Sequence, residues 1–194
     1  MRGDRDLLAR LADGRTHSGE ALARECGISR AAIARRMARL RAAGWPIEGR
    51  RGAGYTLPAG AMPLQRGRID TELAPVRDRI ASLELLAETG STNARLAGRA
   101  APPGGAARVC VTEYQSAGRG RRGRAWVAPP GGAIMFSLMR VFDRAPGELM
   151  CMSLVAGVAV AEALRGAGVP GVCLKWPNDV RVGEAKLGGI LVEM

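Results

Sequence analysis

The chain has 194 residues, a formal net charge of +11 at neutral pH and a pI of about 11.0. Hydrophobic residues make up 47% of the chain and charged residues 24%, so we expect a packed core and not a disordered protein. The longest apolar stretch, residues 150–164, carries Glu162 and is too short to cross a bilayer, and the mixed-charge N-terminus lacks the apolar segment of a signal peptide. We therefore expect a cytoplasmic protein, neither embedded in a membrane nor secreted as a disulfide scaffold.

Arginine supplies most of the positive charge, because only Lys175 and Lys186 are lysines among the 29 basic residues. This excess suggests an anionic partner such as nucleic acid or a nucleotide, although coding bias also enriches arginine. The four cysteines lie among apolar residues without C-x-x-C spacing, and His17 is the single histidine of the sequence, so we expect no protein-built metal site. We interpret the cysteines as small core residues: Cys26, Cys110, Cys151 and Cys173.

Three helices and a hairpin are predicted in residues 1–60, the pattern of a winged helix-turn-helix. Apolar spacing predicts a first helix over 4–12, and Ser18 and Ser29 are placed to cap a second and a third helix. The third helix, to about residue 42, has a buried stripe of Ile33, Met37 and Leu40. Residues 45–50 and 55–57 predict the two strands of the wing.

The third helix carries arginines and no acidic residue, which favours DNA binding over the alternative of a merely solvated face. Side chains at the start of this helix would reach base edges: Ser29, Arg30, Ala31 and Ala32. Later arginines of the helix and those of the wing, expected to face solvent, would hold phosphates: Arg35, Arg36, Arg39, Arg50 and Arg51.

Residues 61–82 read as a linker with one helical turn near 69–73, and residues 83–194 as a mixed α/β domain. Strands are expected at 83–87, 108–114, 133–140, 172–175, 180–182 and 186–193. Helices are expected at 92–99 and 148–164. We expect these strands to form one mixed sheet packed by helices on one face.

The loop from Gly118 to Arg124 contains G-x-G-x-x-G, but Pro129 and Pro130 follow too soon for the helix that a dinucleotide-binding fold requires. What remains is an arginine-rich loop that we expect to be mobile when empty and ordered by a polyanion such as a triphosphate. A solvated or RNA-binding loop is the alternative. Trp126 beside it either stacks on a base or fills the core.

Three more segments carry polar groups that could bind a ligand. For each of them a purely structural role is the alternative. Residues 175–179 place a cation, an amide and a carboxylate together, or form a simple Pro-Asn turn. Lys186 precedes Gly188 and Gly189, which permit close approach of a ligand, but it is equally compatible with a surface lysine. Ser91 and Thr92 offer hydroxyl groups or simply cap a helix.

Four motifs in this order resemble the catalytic core of the biotin–protein ligases: Gly90-Ser91-Thr92-Asn93, the run from Glu113 to Arg124, Lys175-Trp176-Pro177-Asn178-Asp179, and Lys186-Leu187-Gly188-Gly189-Ile190-Leu191. With a winged helix ahead of them, the chain is similar to the bifunctional ligase and biotin operon repressor. The resemblance implies an α+β protein with a winged helix at 1–60, a linker at 61–82 and the N-terminal part of a class II synthetase-like catalytic domain at 83–194.

The resemblance also implies a role for individual residues. Biotin would be bound by Ser91, Thr92, Asn93, Gln115, Arg119, Gly120, Arg121, Lys186, Gly189 and Leu191. ATP would be bound by Arg121, Arg122, Arg124, Trp126, Lys175 and Asn178, the last of which could help to hold Mg²⁺. Catalysis would depend on Lys186, Arg119 and Arg121, because cations must offset the repulsion where a carboxylate meets a phosphate.

The implied reaction has two steps: the biotin carboxylate attacks the α-phosphate of ATP, and a lysine of the biotin carboxyl carrier domain then takes the biotinyl group. In repressor members the adenylate promotes a homodimer that binds operator DNA. Family members continue past the Gly188-Gly189-Ile190-Leu191-Val192-Glu193 segment, so we expect this chain to be incomplete. The alternatives are a catalytically inactive, ligand-responsive DNA-binding regulator and a lipoate ligase, which would not be expected to carry the arginine loop or the winged helix.

Overall fold

The structure, a computed structural model, describes residues 2–194. The chain divides into two compact units, Met1–Gly118 with Trp126–Val141, and Arg119–Ala125 with Phe142–Met194. Each unit has a hydrophobic cluster of its own. Of the arginine-rich loop, Gly118 belongs to the first unit and residues 119–124 belong to the second.

The first unit begins with three helices: α1 (Arg2–Leu11), α2 (Gly19–Cys26) and α3 (Arg30–Ala42). The predicted caps are confirmed, since the hydroxyls of Ser18 and Ser29 accept backbone N–H groups at 3.0 and 3.1 Å. Gly27 ends α2 in the left-handed conformation with φ of 64°. The predicted stripe on α3 is confirmed as well, because its three members are buried in the helical core with leucines of α1 and α2: Leu7, Leu8, Leu11 and Leu22.

The wing consists of two antiparallel strands, β1 (Glu48–Arg50) and β2 (Gly54–Thr56). Strand β1 is shorter than predicted because Trp45 and Ile47 are buried in the helical core before the strand pairing starts, while β2 has the predicted length and begins one residue earlier. The backbones of His17 and Tyr55 exchange two hydrogen bonds of 2.9 Å and join the wing to the turn before α2.

The segment between the winged helix and the first sheet is more ordered than the single turn predicted from sequence. It contains α4 (Arg66–Glu72) and a 3₁₀ turn, Ala74–Arg79. Helix α4 is supported by an ion pair of Arg66 with Asp70 at 2.7 Å, four residues apart, and Pro75 lies in the first turn of the 3₁₀ segment. These local contacts explain the extra helix.

The sheet of the first unit has three strands: β3 (Ile80–Leu86), β4 (Ala107–Thr112) and β5 (Met135–Arg140). Strand β3 runs parallel to β4, and β4 antiparallel to β5. The helix α5 (Thr92–Ala97) links β3 to β4 and contacts both β4 and β5. The sheet is mixed, as predicted, and the candidate site residues of this unit follow the ends of β3 and β4.

The second unit contains a 3₁₀ turn, Pro146–Leu149, and α6 (Met152–Gly166), followed by β6 (Val172–Lys175), β7 (Asp179–Val182) and β8 (Ala185–Gly189). The prediction of one sheet for all strands is wrong, because β6, β7 and β8 form a separate antiparallel sheet. Short turns join these consecutive strands, so each strand pairs with its neighbour in sequence.

The stretch Pro146–Gly166 has a mean hydropathy of 1.6 and could cross a membrane by length and composition alone. Its α-helical part has 15 residues and a length of about 22 Å, less than a bilayer core of about 30 Å. Gly157 and Ala161 are buried on the face that meets the second sheet, where Leu174 reaches within 3.3 Å of a Cβ at Gly157. One face of the helix therefore packs on the second sheet, while Val155 and Val158 are exposed.

The prediction that all four cysteines lie in the core is only partly right. Cys110 is buried and Cys26 half-buried, but Cys151 and Cys173 are exposed. Side chains alternate along β6, so Val172 packs in the apolar cluster with α6 while Cys173 points to the opposite face of the sheet. Cys151 stands at the exposed start of α6.

Candidate active site and nucleic-acid interface

The outer face of α3 presents most of the residues predicted to contact DNA. Exposed are Ser29, Arg30, Ala31, Arg35 and Arg39, while Ala32 and Arg36 are half-buried. Of the four helix arginines expected to face solvent, Arg30, Arg35 and Arg39 are exposed, and the expectation is wrong for Arg36, which is half-buried. Arg39 forms an ion pair with the buried carboxylate of Asp4 on α1, and Arg36 Nε lies 3.9 Å from the same carboxylate.

The wing arginines Arg50 and Arg51 are exposed at the end of β1 and in the turn that follows. Arg41 has a different role, which was not predicted. Its Nε donates to the Ile47 carbonyl at 2.7 Å, and its guanidinium lies 5.6 Å from the centre of the Tyr55 ring. Arg41 therefore holds the wing against α3.

A polar cluster, which we call the Thr92 cluster, forms where α5 begins; it consists of the buried Ser91, Thr92 and Ser137 and the half-buried Asn93 and Gln115. Gln115 Oε1 accepts from the Thr92 backbone N–H at 2.7 Å and from its hydroxyl at 3.1 Å. Ser137 Oγ donates to Thr92 Oγ1 at 2.7 Å and also contacts Asn93 Oδ1. Ser91 is the N-cap of α5 and accepts from Ala94 N at 3.4 Å. The structure thus brings the four predicted biotin residues of this unit together.

Ser137 was not among the residues predicted for the site. It lies on β5, where Met135 and Ser137 are buried and Phe136 is exposed. A single hydroxyl among apolar strand residues would have been the available signal. Its position puts a third strand in contact with the Thr92 cluster.

Backbone hydrogen bonds join the two loops that carry this cluster. Thr89 N donates to Tyr114 O at 3.1 Å and Ser116 N to Thr89 O at 3.0 Å, while Ala117 N donates to Gly90 O at 2.8 Å. These bonds fix the segment after β3 against the segment after β4. They explain why Thr92 and Gln115 come into contact although 23 residues separate them in sequence.

Glu113, at the end of β4, is the most unusual titratable group described. Its side chain is 1% exposed, and Oε1 accepts the Leu64 backbone N–H at 2.6 Å. Burial raises the pKa of Glu113 from 4.5 to about 7, against the opposing influence of the Leu64 hydrogen bond and of the nearby charge of Arg5. Its Oε2 is buried without a hydrogen-bond partner.

The base of the arginine-rich loop is closed by a contact between Gly118 and Trp126. Trp126 N donates to Gly118 O at 2.8 Å, and a Cβ at Gly118 would lie 2.4 Å from the carbonyl oxygen of Trp126. Only glycine fits there. Trp126 is half-buried, which leaves its two sequence interpretations, stacking or core filling, open.

In the second unit the loop itself folds into a 3₁₀ turn, Arg121–Gly123, closed by a hydrogen bond from Gly120 N to Arg124 O at 2.7 Å. Arg122 has a positive φ of 59°, an uncommon conformation for a residue with a side chain. As predicted, no helix follows the glycines, so the loop does not open a dinucleotide-binding fold.

Two arginines of the loop contact polar groups of the same unit. Arg119 lies 3.3 Å from a Glu193 carboxylate oxygen, and Arg121 donates to Asn178 Oδ1 at 3.3 Å. Asn178 also donates to the Ile190 carbonyl at 2.9 Å, and Ile190 N returns a bond to the Asn178 carbonyl. Arg121 and Asn178, both predicted to bind ATP, are thus adjacent.

Lys186 on β8 faces Asp179 on β7, with 2.6 Å between Nζ and Oδ1. A Cβ at Gly189 would lie 3.3 Å from Lys186 Nζ, so the glycine leaves space beside the ammonium group. Asp179 is the last residue of the motif at 175–179, and no role was predicted for it. The carboxylate holds the ammonium in place, and an anionic substrate would have to compete with it.

The remaining predicted residues of this unit are less constrained. Lys175 and Trp176 are exposed, the latter 77% exposed, and Arg122 and Arg124 are also exposed. Leu191 is half-buried. These exposed cations and this exposed aromatic ring are accessible to a ligand.

The residues present do not make a Mg²⁺ site of their own. Asn178 Oδ1 accepts from Arg121, and the nearest carboxylate in its motif, Asp179, is paired with Lys186. Within residues 2–194 no three His, Cys, Asp or Glu side chains are grouped so that they could hold a metal. Because Mg²⁺ prefers carboxylates and phosphate oxygens, any such ion would depend on phosphates of a ligand.

Comparison with known proteins adds two family matches. Residues 91–194 match the Biotin/lipoate A/B protein ligase family, and residues 4–56 match the HTH domain. The first match begins at Ser91 and covers the Thr92 cluster, the loop and Lys186. The second covers α2, α3 and the wing.

A biotin protein ligase structure from Aquifex aeolicus in complex with biotin and ATP is 37% identical in sequence to this chain. The match covers 59% of this chain and 47% of that one, with a TM-score of 0.49.

Two curated relatives are similar to the chain over different extents. The bifunctional ligase/repressor BirA of Salmonella typhimurium is 40% identical over 191 residues, which are 97% of this chain and 57% of that protein. The biotin--[acetyl-CoA-carboxylase] ligase of Mycobacterium tuberculosis is 39% identical over 137 residues, 68% of this chain and 52% of that protein. The chain thus spans little more than half the length of these relatives. It belongs to the biotin/lipoate A/B protein ligase family, with a helix-turn-helix domain ahead of the ligase part.

Proposed function

We propose that the protein is a bifunctional biotin–protein ligase and DNA-binding repressor of biotin synthesis. The observation that carries the proposal is the Thr92 cluster, a set of buried and half-buried side chains that hydrogen-bond to one another beside the first sheet. Buried polar groups are retained where they are satisfied by each other or by a ligand. A cyclic urea such as the biotin ring offers one carbonyl acceptor and two N–H donors, which match hydroxyl and amide side chains.

In this proposal the Thr92 cluster, which includes Gln115, binds the ureido ring. Cationic side chains stabilise the negative charges of the reacting groups. Lys186, Arg119 and Arg121 offset the repulsion between the biotin carboxylate and the ATP phosphates. The carboxylate oxygen forms a bond to the α-phosphorus, and pyrophosphate leaves with its electron pair. Arg122, Arg124, Lys175 and Asn178 bind the nucleotide, and Mg²⁺ enters as part of the MgATP substrate.

The second step uses the mixed anhydride so formed. The amine of a lysine on the biotin carboxyl carrier domain attacks the biotinyl carbonyl, an amide bond forms and AMP leaves. No residue described here is required as a nucleophile, because the carrier lysine supplies that group. Binding, orientation and charge stabilisation are the contributions of the chain itself.

The winged helix supplies the second activity. We propose that α3 enters the major groove of operator DNA, with Ser29 and Arg30 near base edges, and that Arg35, Arg50 and Arg51 contact phosphates. The adenylate would act as corepressor and promote a homodimer. We expect the protein to act in the cytoplasm, where biotin, ATP, DNA and the carrier protein meet.

Biotin-dependent release of pyrophosphate from ATP tests the ligase proposal directly. We expect release with biotin and no stimulation by lipoate, measured with a coupled phosphate assay on folded protein. Biotin binding by calorimetry without pyrophosphate release would favour the alternative of an inactive ligand-responsive regulator. A preference for lipoate would instead point to a lipoate ligase and would contradict the proposal.

Arg35→Ala tests the DNA interface without disturbing α3, because Arg35 is exposed and lies opposite the buried stripe. We expect weaker binding to a random-sequence duplex and a salt dependence lower by about one unit in the slope of log K against log salt concentration. Arg144→Ala, which removes the same charge from an exposed site in the second unit, is the matched control. An unchanged slope for Arg35→Ala would show that this face does not contact phosphates.

A further inference from the structure

One buried junction links the winged helix to the sheet that carries the Thr92 cluster. Arg5 on α1 donates to the Leu85 carbonyl of β3 at 3.1 Å, and its charge acts on the carboxylate of Glu113 at the end of β4. Leu64 N, from the segment between the two parts, donates to Glu113 Oε1 at 2.6 Å. Three stretches of chain that are distant in sequence therefore meet at one carboxylate.

The junction is tightly packed but its polar groups are not fully satisfied. Arg5 Nε and Glu113 Oε2 are both buried without a hydrogen-bond partner. Unsatisfied buried polar atoms cost free energy, so a small displacement that joined or hydrated them would be favourable.

On the DNA side, the neighbour of Arg5 is Asp4. The buried Asp4 carboxylate pairs with Arg39 and lies 3.9 Å from Arg36, both on α3. Consecutive residues of α1 thus contact the ligase sheet through one side chain and the recognition helix through the other. A shift of α1 on the sheet must change the environment of α3.

On the ligand side, Glu113 is two residues before Gln115. Gln115 accepts two hydrogen bonds from Thr92, and the intervening Tyr114 carbonyl accepts the backbone N–H of Thr89. The backbone of Glu113 is itself fixed by a bond from its N–H to the Leu86 carbonyl at 3.1 Å. A ligand that rearranged Gln115 would act on the same short segment that holds Glu113.

We infer that Arg5 and Glu113 are positioning residues that couple occupancy of the Thr92 cluster to the state of α3 within a single protomer. The inference rests on the proposed function, since it takes biotin as the ligand of the cluster. It adds a path that needs no second copy of the chain. A chain of contacts is not by itself coupling, so the test measures the response of α3 to the ligand.

Hydrogen exchange of backbone amides, followed with and without biotin on the full chain, provides that measurement. We expect biotin to slow exchange in residues 30–42 by about fivefold, a modest coupling between two sites. In Arg5→Ala and in Glu113→Gln this response of α3 should largely disappear, while calorimetry still detects biotin binding. The double variant should show no larger loss than either single variant, because both remove the same junction.

Arg10→Ala is the matched control, because Arg10 also lies on α1 but pairs with Glu25 inside the winged helix. It should keep the full response, and Arg5→Lys should restore part of it. Biotin binding without any change in α3 of the unaltered protein, or an undiminished response in Arg5→Ala, would overturn the inference. Failure of the unaltered protein to bind biotin would overturn the proposed function itself, and the coupling with it.

Discussion

Lys186→Ala is expected to slow formation of biotinyl-adenylate by about 100-fold or more, the range for removing one preorganised charge-stabilising group. Lys186 Nζ lies 2.6 Å from Asp179 Oδ1 and beside the space left by Gly189. A positioned ammonium stabilises the negative charge that develops where the carboxylate attacks the phosphate. Alanine cannot stabilise this charge. Rapid quench of labelled ATP with biotin measures the effect.

Two further variants separate chemistry from folding. Lys186→Arg keeps the charge but replaces a compact ammonium with a planar fork, so we expect it to be impaired as well. Arg144→Ala removes an exposed cation elsewhere in the second unit and should retain full activity. DNA binding without biotin should be unchanged in all three. Equal loss of adenylation and DNA binding in Lys186→Ala would indicate misfolding, and unaltered adenylation would remove Lys186 from the mechanism.

The stability of the protein is expected to fall between about pH 4.5 and pH 7 because of Glu113. Burial raises the pKa of this carboxyl from 4.5 to about 7 in the folded chain. In that window the folded protein binds a proton that the unfolded chain releases, so folding is favoured at low pH and loses stability as the pH rises. The loss from this group is on the order of 3 kcal/mol and is complete above pH 7.

Glu113→Gln isolates this effect, since an amide oxygen can still accept the Leu64 N–H but does not titrate. Urea unfolding of the variant should show a smaller decline in stability from pH 4.5 to pH 7 than the unaltered protein. Glu88→Gln, an exposed carboxylate near the same sheet, should leave the decline as it is. Identical pH profiles for Glu113→Gln and the unaltered protein would show that Glu113 titrates normally.

Local features of the fold could be predicted from sequence, but side-chain partners could not. The caps at Ser18, Ser29 and Ser91 were accessible because a capping hydroxyl acts on an N–H three residues away. The pairing of Arg39 with Asp4 was not, because 35 residues separate the two and only the packing of α1 on α3 brings them together.

The same distinction applies to the candidate site. Motif order and spacing in the sequence determined the family and predicted the functional residues, because the chemistry requires particular side chains. Only the tertiary structure decided that Ser137 joins Thr92, that Asp179 holds Lys186, and that Glu113 is buried against the winged helix. Burial and long-range pairing depend on which surfaces the chain brings together, and that information is spread over many residues at once. The excess of arginine likewise divides into different structural roles only in the fold, where Arg41 packs the wing and Arg5 contacts the sheet.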